Sequence, residues 1–176
     1  MAEMDEEGTK KEELFFQLIT LLQTGTLNFR WRAAEALGKE GDLRAVGPLI
    51  EALSDEYADV SWLAAKSLGQ LGDPEAVPHL LELLKHEDKW NRLGALIGLA
   101  GIGDQRAVEP ISDLLKNDTE QIVRKEAAKA LSRIGGDAAG KALERMKDEE
   151  DEDEVVRKAV LDALKAMKEK KSKKIK

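Results

Sequence analysis

Three tryptophans, at positions 31, 62 and 90, are the residues of this sequence best equipped for chemistry, and their chemistry is recognition rather than bond making. An indole buries a large apolar surface, offers one N–H donor and attracts cations to its face. Trp31 and Trp62 stand in matching contexts, Trp31-Arg32-Ala33-Ala34 and Trp62-Leu63-Ala64-Ala65. Residues for covalent or metal chemistry are scarce. There is no cysteine, and two histidines, His79 and His86, fall short of a tetrahedral metal set. No G-x-S-x-G elbow and no Walker-type glycine loop occur. Paired acids such as Asp55 and Glu56, or Glu149 and Glu150, lie in loop sequence with no apolar pocket implied that would split their pKa values.

The tryptophans belong to a repeat. FRWRAAEALGKEGD (29–42) recurs as VSWLAAKSLGQLGD (60–73), NRLGALIGLAGIGD (91–104) and VRKEAAKALSRIGGD (123–137). The first three copies are spaced by 31 residues, the fourth is shifted by one and gains a glycine, and VRKAVLDALKAM (156–167) comes last without a Gly-Asp. Between them lies a second motif: AVGPLIEAL (45–53), AVPHLLELL (76–84), AVEPISDLL (107–115) and the eroded AAGKALERM (138–146). Each unit is therefore two segments, A then B, and self-similarity at this period marks a stacked array.

Segment B has a helical period. At about 100° per residue, Val60, Ala64, Ser67, Leu68 and Leu71 share one face, the stripe that a packed helix buries. Ala65 and Gly69, like Ala34 and Gly38 one unit earlier, are small neighbours of that stripe, where adjacent helices can approach closely. Gly72 suits a helix end, and Asp73 suits a cap for the next helix. Segment A opens after Asp42, Asp73 or Asp104 with a short turn and reaches a proline at 48, 78 or 110. Proline is tolerated in the first turn of a helix, so the A helix is expected to start there after a one-turn prelude. Leu49, Ile50 and Leu53, or Leu80, Leu81 and Leu84, supply its stripe. EELFFQLITLLQ (12–23) reads as the A helix of an opening unit, with Phe15 or Phe16 covering the end. One helix pair cannot bury its stripe alone, so five pairs are expected to stack into an all-α, right-handed α-solenoid over 12–167. A flexible acidic N-terminus (1–11) and a Lys-rich C-terminal tail (168–176) are expected to flank it.

The motif AAxALGxxGD followed by AVxPLIxxL resembles the HEAT-like repeats related to phycobilin lyase subunits, from about residue 12 to 167. The resemblance implies that the B helices line the concave side of a superhelix. Residues turned away from the buried stripe then stack in rows: Trp31, Trp62, Leu93, Lys125 and Lys158; Arg32, Leu63, Gly94, Glu126 and Ala159; Glu35, Lys66, Ile97, Lys129 and Asp162. With Trp90 at the start of the third B helix, an apolar floor in the first three units passes into a charged rim at Lys125, Glu126, Lys129 and Arg133. Exposed apolar patches mark contact surfaces. The candidate partner-binding residues are therefore Trp31, Arg32, Trp62, Leu63, Lys66, Trp90, Leu93, Ile97, Lys125 and Lys129. Two other uses of the indoles stand beside this one: packing across a neighbouring helix under the Arg32 or Lys66 stem, or a homodimer in which two floors bury each other.

The function expected on these grounds is a non-catalytic scaffold that binds a protein or peptide on its concave B-helix face, with no cofactor and no metal. As an alternative, the lyase resemblance implies a helper in attaching a tetrapyrrole to a cysteine of a partner protein, with the concave Trp and Arg residues cradling the pigment. HEAT-like alkylpurine DNA glycosylases hold duplex in a basic groove, and Arg30, Arg32, Lys66, Arg92, Lys125, Lys129 and Arg133 all lie on B helices. Glu35, Glu126 and the acid run at 148–154 interrupt that set, and several of the arginines precede the buried alanine, where they can bind the preceding loop. The HEAT-like deoxyhypusine hydroxylases carry iron-binding His-Glu pairs just before the AA of the motif. Here those places read Trp31-Arg32, Trp62-Leu63, Leu93-Gly94 and Lys125-Glu126, which excludes that enzyme.

The totals agree with this reading. Charged residues make up 36% of the 176, with only 3 Phe, 3 Trp and 1 Tyr, which suits surface-rich helices rather than a thick globular core. A formal net charge of −7 argues against nucleic acid as a partner. The acidic, polar start MAEMDEEGTKKEE, the lack of a long apolar run and the absence of cysteine lead to the expectation of a cytoplasmic protein with no membrane partner. Abundant Lys and Glu beside sparse Asn and Gln match thermophile composition. DEEDEDE (148–154) and the Lys-rich stretch 165–176 are expected to be solvated loop and tail.

Overall fold

A computed structural model describes residues 2–148 and 153–174. Among these residues the chain is helical throughout, in five successive pairs: α1 (Ala2–Thr24) with α2 (Leu27–Glu40), α3 (Val46–Glu51) with α4 (Ala58–Leu71), α5 (Val77–Leu83) with α6 (Lys89–Ile102), α7 (Val108–Asn117) with α8 (Gln121–Ile134), and α9 (Gly136–Asp148) with α10 (Glu154–Lys174). The even-numbered helices are the B segments. Each packs on its own A helix and on the B helices to either side, whereas contacts between successive A helices are sparse. A stack that is tight in one layer and splayed in the other curves toward the tight layer, which puts the B helices on the inner side.

The Gly-Asp turns explain the regularity. Asp42, Asp73 and Asp104 accept the backbone N–H two residues on at 2.9, 2.9 and 2.8 Å and start a single 3-10 turn each time. The A helices then begin at Val46, Val77 and Val108, just ahead of the expected prolines, which fall in the first turn where a missing N–H costs nothing. Gly41, Gly72 and Gly103 close the B helices before these turns at φ of 75°, 73° and 77°, a left-handed conformation that suits glycine. In the fourth turn Gly135 and Gly136 both have positive φ, and α9 begins without a 3-10 turn. Hydrogen bonds from the Arg44 and Arg106 guanidinium groups hold the Asp42 and Asp104 carboxyls below the ordinary carboxylate range.

The core is the predicted stripe. Val60, Ala64 and Leu68 of α4 are fully buried, as are Leu49, Leu80, Ile111 and Leu143 on the A helices. Of the two phenylalanines expected at the open end, Phe15 is buried and Phe16 exposed. Neighbouring B helices meet through small residues. The Ser67 hydroxyl donates to the Ala34 carbonyl of α2 at 2.8 Å, and Ser132 donates to Ala163 of α10 at 3.1 Å.

The chain ends differ from the sequence reading. The first helix starts at Ala2 rather than Glu12, and α10 continues to Lys174, so the stretches read as an N-terminal extension (1–11) and a C-terminal tail (168–176) are helical in their described parts. Lys, Glu and Ala are strong helix formers, and a charge run alone is no stop signal. Of the acid run, residues 149–152 lie outside the described residues, but Asp153 caps α10 by accepting the Val155 N–H at 2.9 Å.

Candidate partner-binding surface

The starts of the B helices are fixed by arginines, and two of these, Arg30 and Arg92, belong to the set that the sequence had also offered as nucleic-acid contacts. Arg92 donates twice to Asp118 of the next unit, at 2.7 and 2.9 Å, and to the carbonyls of His86 and Glu87 in its own loop. Arg124 repeats the pattern, reaching Asp153 at 3.0 Å and the Asp118 carbonyl at 2.8 Å. Arg30 meets Asp55 at 3.2 Å. Arg92 binds the preceding loop, as its place before the buried alanine suggested, whereas Arg30 pairs with the loop of the next unit; all three guanidinium groups are largely withdrawn from solvent.

The indoles of Trp31 and Trp62 are half-buried on the B face, neither enclosed between the two helical layers nor fully wet. The Arg32 guanidinium stands 5.2 Å from the centre of the Trp31 ring, and the Lys66 ammonium 5.6 Å from that of Trp62. Trp62 also leans across to the next B helix: a Cβ on Gly94 would lie 3.2 Å from its Cδ1. Gly94 is thus the seat of an indole from the preceding unit, and each tryptophan combines packing with residual exposure. Leu63 and Ile97 are likewise half-buried. Leu93 corrects the sequence reading, because it is only 5% exposed and belongs to the core. Its place beside Gly94 puts it on the turn that Trp62 covers, which a wheel drawn for one helix cannot show.

The charged end matches the expected rows closely. Lys125, Glu126, Lys129 and Arg133 of α8 and Lys158, Ala159 and Asp162 of α10 line one groove of about 820 Å³, floored by Ser132, Ala159, Ala163 and Ala166. With Lys170 and Glu154, its lining has five cations against three carboxylates, an excess opposite in sign to the net charge of the chain. Glu126 takes Lys129 at 2.8 Å. Lys125, Arg133 and Lys158 have no ion pair among the described residues.

One row was read from the sequence only at Trp90. Trp90, Ile122 and Val155 occupy equivalent places in the first turns of α6, α8 and α10, and all three are prominently exposed, at 50%, 45% and 43%. The Asp88 carboxylate, capping α6, accepts the backbone N–H of Trp90 at 2.7 Å. In the first two units the same place is held by Asn28 and Asp59. The signal for Ile122 and Val155 was available as an apolar residue directly before each repeat of N/V-R. His79 is exposed on α5, and the His86 Nδ1 accepts the Asp88 N–H at 3.0 Å; no cluster of three metal-binding side chains occurs among the described residues. No described helix is long and apolar enough to cross a membrane.

A family model of HEAT repeats matches residues 17–92 and 77–165. No curated protein matches the sequence. Among solved structures, the complex of CpcE and CpcF of phycocyanin lyase from Nostoc sp. aligns with a TM-score of 0.69 at 27% identity over 86% of this chain, which spans 64% of the chain it matches. An engineered protein aligns with a TM-score of 0.60 at 24% identity, covering 87% of this chain and 78% of that one. A designed armadillo repeat protein in complex with the peptide (KR)4 gives 0.61 at 21% identity, covering 85% and 80%. The last two are likenesses of fold alone.

Proposed function

Since the chain belongs to the HEAT-repeat family, we propose that it is a non-catalytic scaffold whose inner, B-helix face binds a protein or peptide through an apolar stretch flanked by acidic residues. The observation that carries this reading is the change of character along one continuous face. Half-buried indoles at Trp31 and Trp62 lead to the exposed row Trp90, Ile122 and Val155, and the row borders the cationic groove of Lys125, Lys129, Arg133 and Lys158. A partner that buries an apolar side chain against Trp90 and sets carboxylates at Lys125, Arg133 and Lys158 matches both the exposed indole and the cations of the groove. One tryptophan anchored in a desolvated contact contributes about 2 kcal/mol or more, roughly thirtyfold in affinity.

The test is a pull-down from the native source with the full chain as bait. Trp90→Ser combined with Lys125→Glu and Lys158→Glu is expected to lose the retained partner while helicity and melting stay close to the parent, since all three side chains are exposed. Retention of the same partner by the triple variant would remove this face from the function. A second reading rests on the likeness to the phycocyanin lyase complex: a lyase-type accessory protein that holds a bilin between Trp31, Arg32 and Trp62. Mixing with a bilin is then expected to give a coloured complex that survives gel filtration, and a colourless protein fraction counts against it.

A further inference from the structure

The row that begins with Trp31 in α2 and Trp62 in α4 reaches α8 as Lys125, and the places one and two turns further on are Lys129 and Arg133. The α8 helix thus presents three cations in line. In sequence, no other B helix has more than one cation at these three places: they read Trp62, Lys66 and Gln70 in α4, and Lys158, Asp162 and Ala166 in α10. All three α8 cations line the groove of about 820 Å³ between α8 and α10. On that rim Glu126 is taken by Lys129 at 2.8 Å, whereas on the α10 rim Glu154, Lys158 and Asp162 alternate in sign at one-turn steps. An anionic segment is therefore drawn to the α8 side.

The floor between the rims is built from small residues. Ala159 and Ala163 stand in α10 where Gly94 and Gly98 stand in α6, on the side that faces the preceding B helix. Ser132 of α8 follows Gly38, Gly69 and Ala100 in a row of small residues whose last member is Lys165. The chain itself shows what such a seat accepts. Across the α4–α6 seam Trp62 lies against Gly94, with the Lys66 ammonium 5.6 Å from the ring centre. In the α8–α10 groove the cation recurs as Lys129 and the small seat as Ala159, but Lys125 stands at the place of the indole. Cations attract the face of an aromatic ring, an attraction that an aliphatic side chain does not offer. The seat is complementary to an aromatic side chain supplied by another molecule.

Spacing decides where the partner's charges fall. Lys125 and Arg133 are eight residues apart on one helix, about 12 Å at a rise of about 1.5 Å per residue. Four residues of extended chain cover about 13 Å, and alternate side chains of such a chain point the same way. An acid two residues before an aromatic and another two residues after it therefore reach Lys125 and Arg133 while the ring lies beside Lys129.

We infer that the α8–α10 groove is a docking site for an extended segment of a partner protein with the pattern acid-x-aromatic-x-acid, its ring seated on Ala159; this rests on the scaffold reading and narrows it from a face to a motif. The test titrates the full chain into a fluorescein-labelled nonapeptide, GSESWSESG, and follows fluorescence anisotropy at low ionic strength. This peptide is expected to bind about tenfold more tightly than GSESASESG, which lacks the ring. A similar margin is expected over GSSEWESSG, which has the same composition but turns its acids to the opposite side. Ala159→Leu is expected to cancel the preference for the ring, and α4 accommodates a leucine at the same place, Leu63. Lys125→Glu with Arg133→Glu, both exposed in the parent, is expected to abolish binding of all three peptides at unchanged helicity. Equal binding of the three peptides would overturn the inference, as would a preference that survives either set of substitutions. If the peptides bind alike while a partner from the native source is still lost on substitution of Trp90, Lys125 and Lys158, the scaffold stands and only the motif falls.

Discussion

The seam between α4 and α6 and the seam between α6 and α8 join the same kind of helices by opposite means. Across the first, backbones touch: a Cβ on Gly98 would lie 2.6 Å from the Ala65 carbonyl oxygen, one on Gly69 2.8 Å from that of Gly98, and one on Gly101 2.5 Å from that of Gly69. No arginine staples this seam, because Ser61 stands where the other units have Arg30, Arg92 and Arg124, and its hydroxyl serves the Leu53 carbonyl instead. Across the second seam the helices carry Ala127, Ala128 and Ala130, and the bidentate Arg92–Asp118 pair joins the loops. Dispersion at close range and a shielded ion pair are alternative ways to hold one repeat to the next. Among the described residues the seam where glycines bring two backbones together dispenses with the guanidinium, whereas at the α2–α4 seam Gly38 meets the side chains of Ser67 and Gln70 and Arg30 keeps its pair with Asp55.

That contrast can be broken from either side. Asp118→Ala is expected to have the largest effect, about 3 kcal/mol, because it strands a guanidinium that is 11% exposed and still tied to its own loop. Thermal melting followed by circular dichroism reads it. Gly98→Ala is expected to cost about 2 kcal/mol and several degrees of melting temperature, since the obstructing atom is a backbone oxygen that cannot turn aside. A loss confined to Asp118→Ala would show that the glycine seam tolerates separation. A smaller effect is expected at the last seam. A hydrogen bond from Gln121, the N–H groups of Val155 and Val156 and the Arg124 charge hold the Asp153 carboxyl below its ordinary range. A depressed carboxyl adds stability above its unfolded-state value of about 4 and loses it as pH falls through the folded value. Melting of Asp153→Asn should therefore lie below that of the parent at neutral pH and converge with it in acid. The smallest change has the opposite sign. Gly47→Ala in α3, where a Cβ meets nothing within 4 Å, is expected to raise stability by about 0.5 kcal/mol, most clearly in chemical denaturation.

Much of the fold could be read before any coordinates because each repeat carries its own punctuation. Glycine ends the B helix, aspartate starts the turn, and proline marks the first turn of the A helix. The rows of the inner face came from the same register, and Lys125 with Lys158, Glu126 with Ala159, and Lys129 with Asp162 do share one groove. What a single-helix wheel cannot supply is the neighbour. Trp62 was rightly turned toward the B face, but its seat on Gly94 and the burial of Leu93 depend on α6. Arg92 could be suspected of gripping its own loop, whereas Arg124 was not singled out and its partner Asp153 was one acid among seven in a run that nothing local distinguished. Long charged stretches at both ends looked like tails because composition reports solvation, not backbone conformation.

Lys165 sets a direction for how such a protein can lengthen. A tandem duplication that appended a sixth unit after α10 would have to bury an ammonium group where its predecessors carry glycine, alanine or serine, so any such graft must first trade this lysine for a small side chain. Insertion of a whole repeat between existing ones meets no such obstacle.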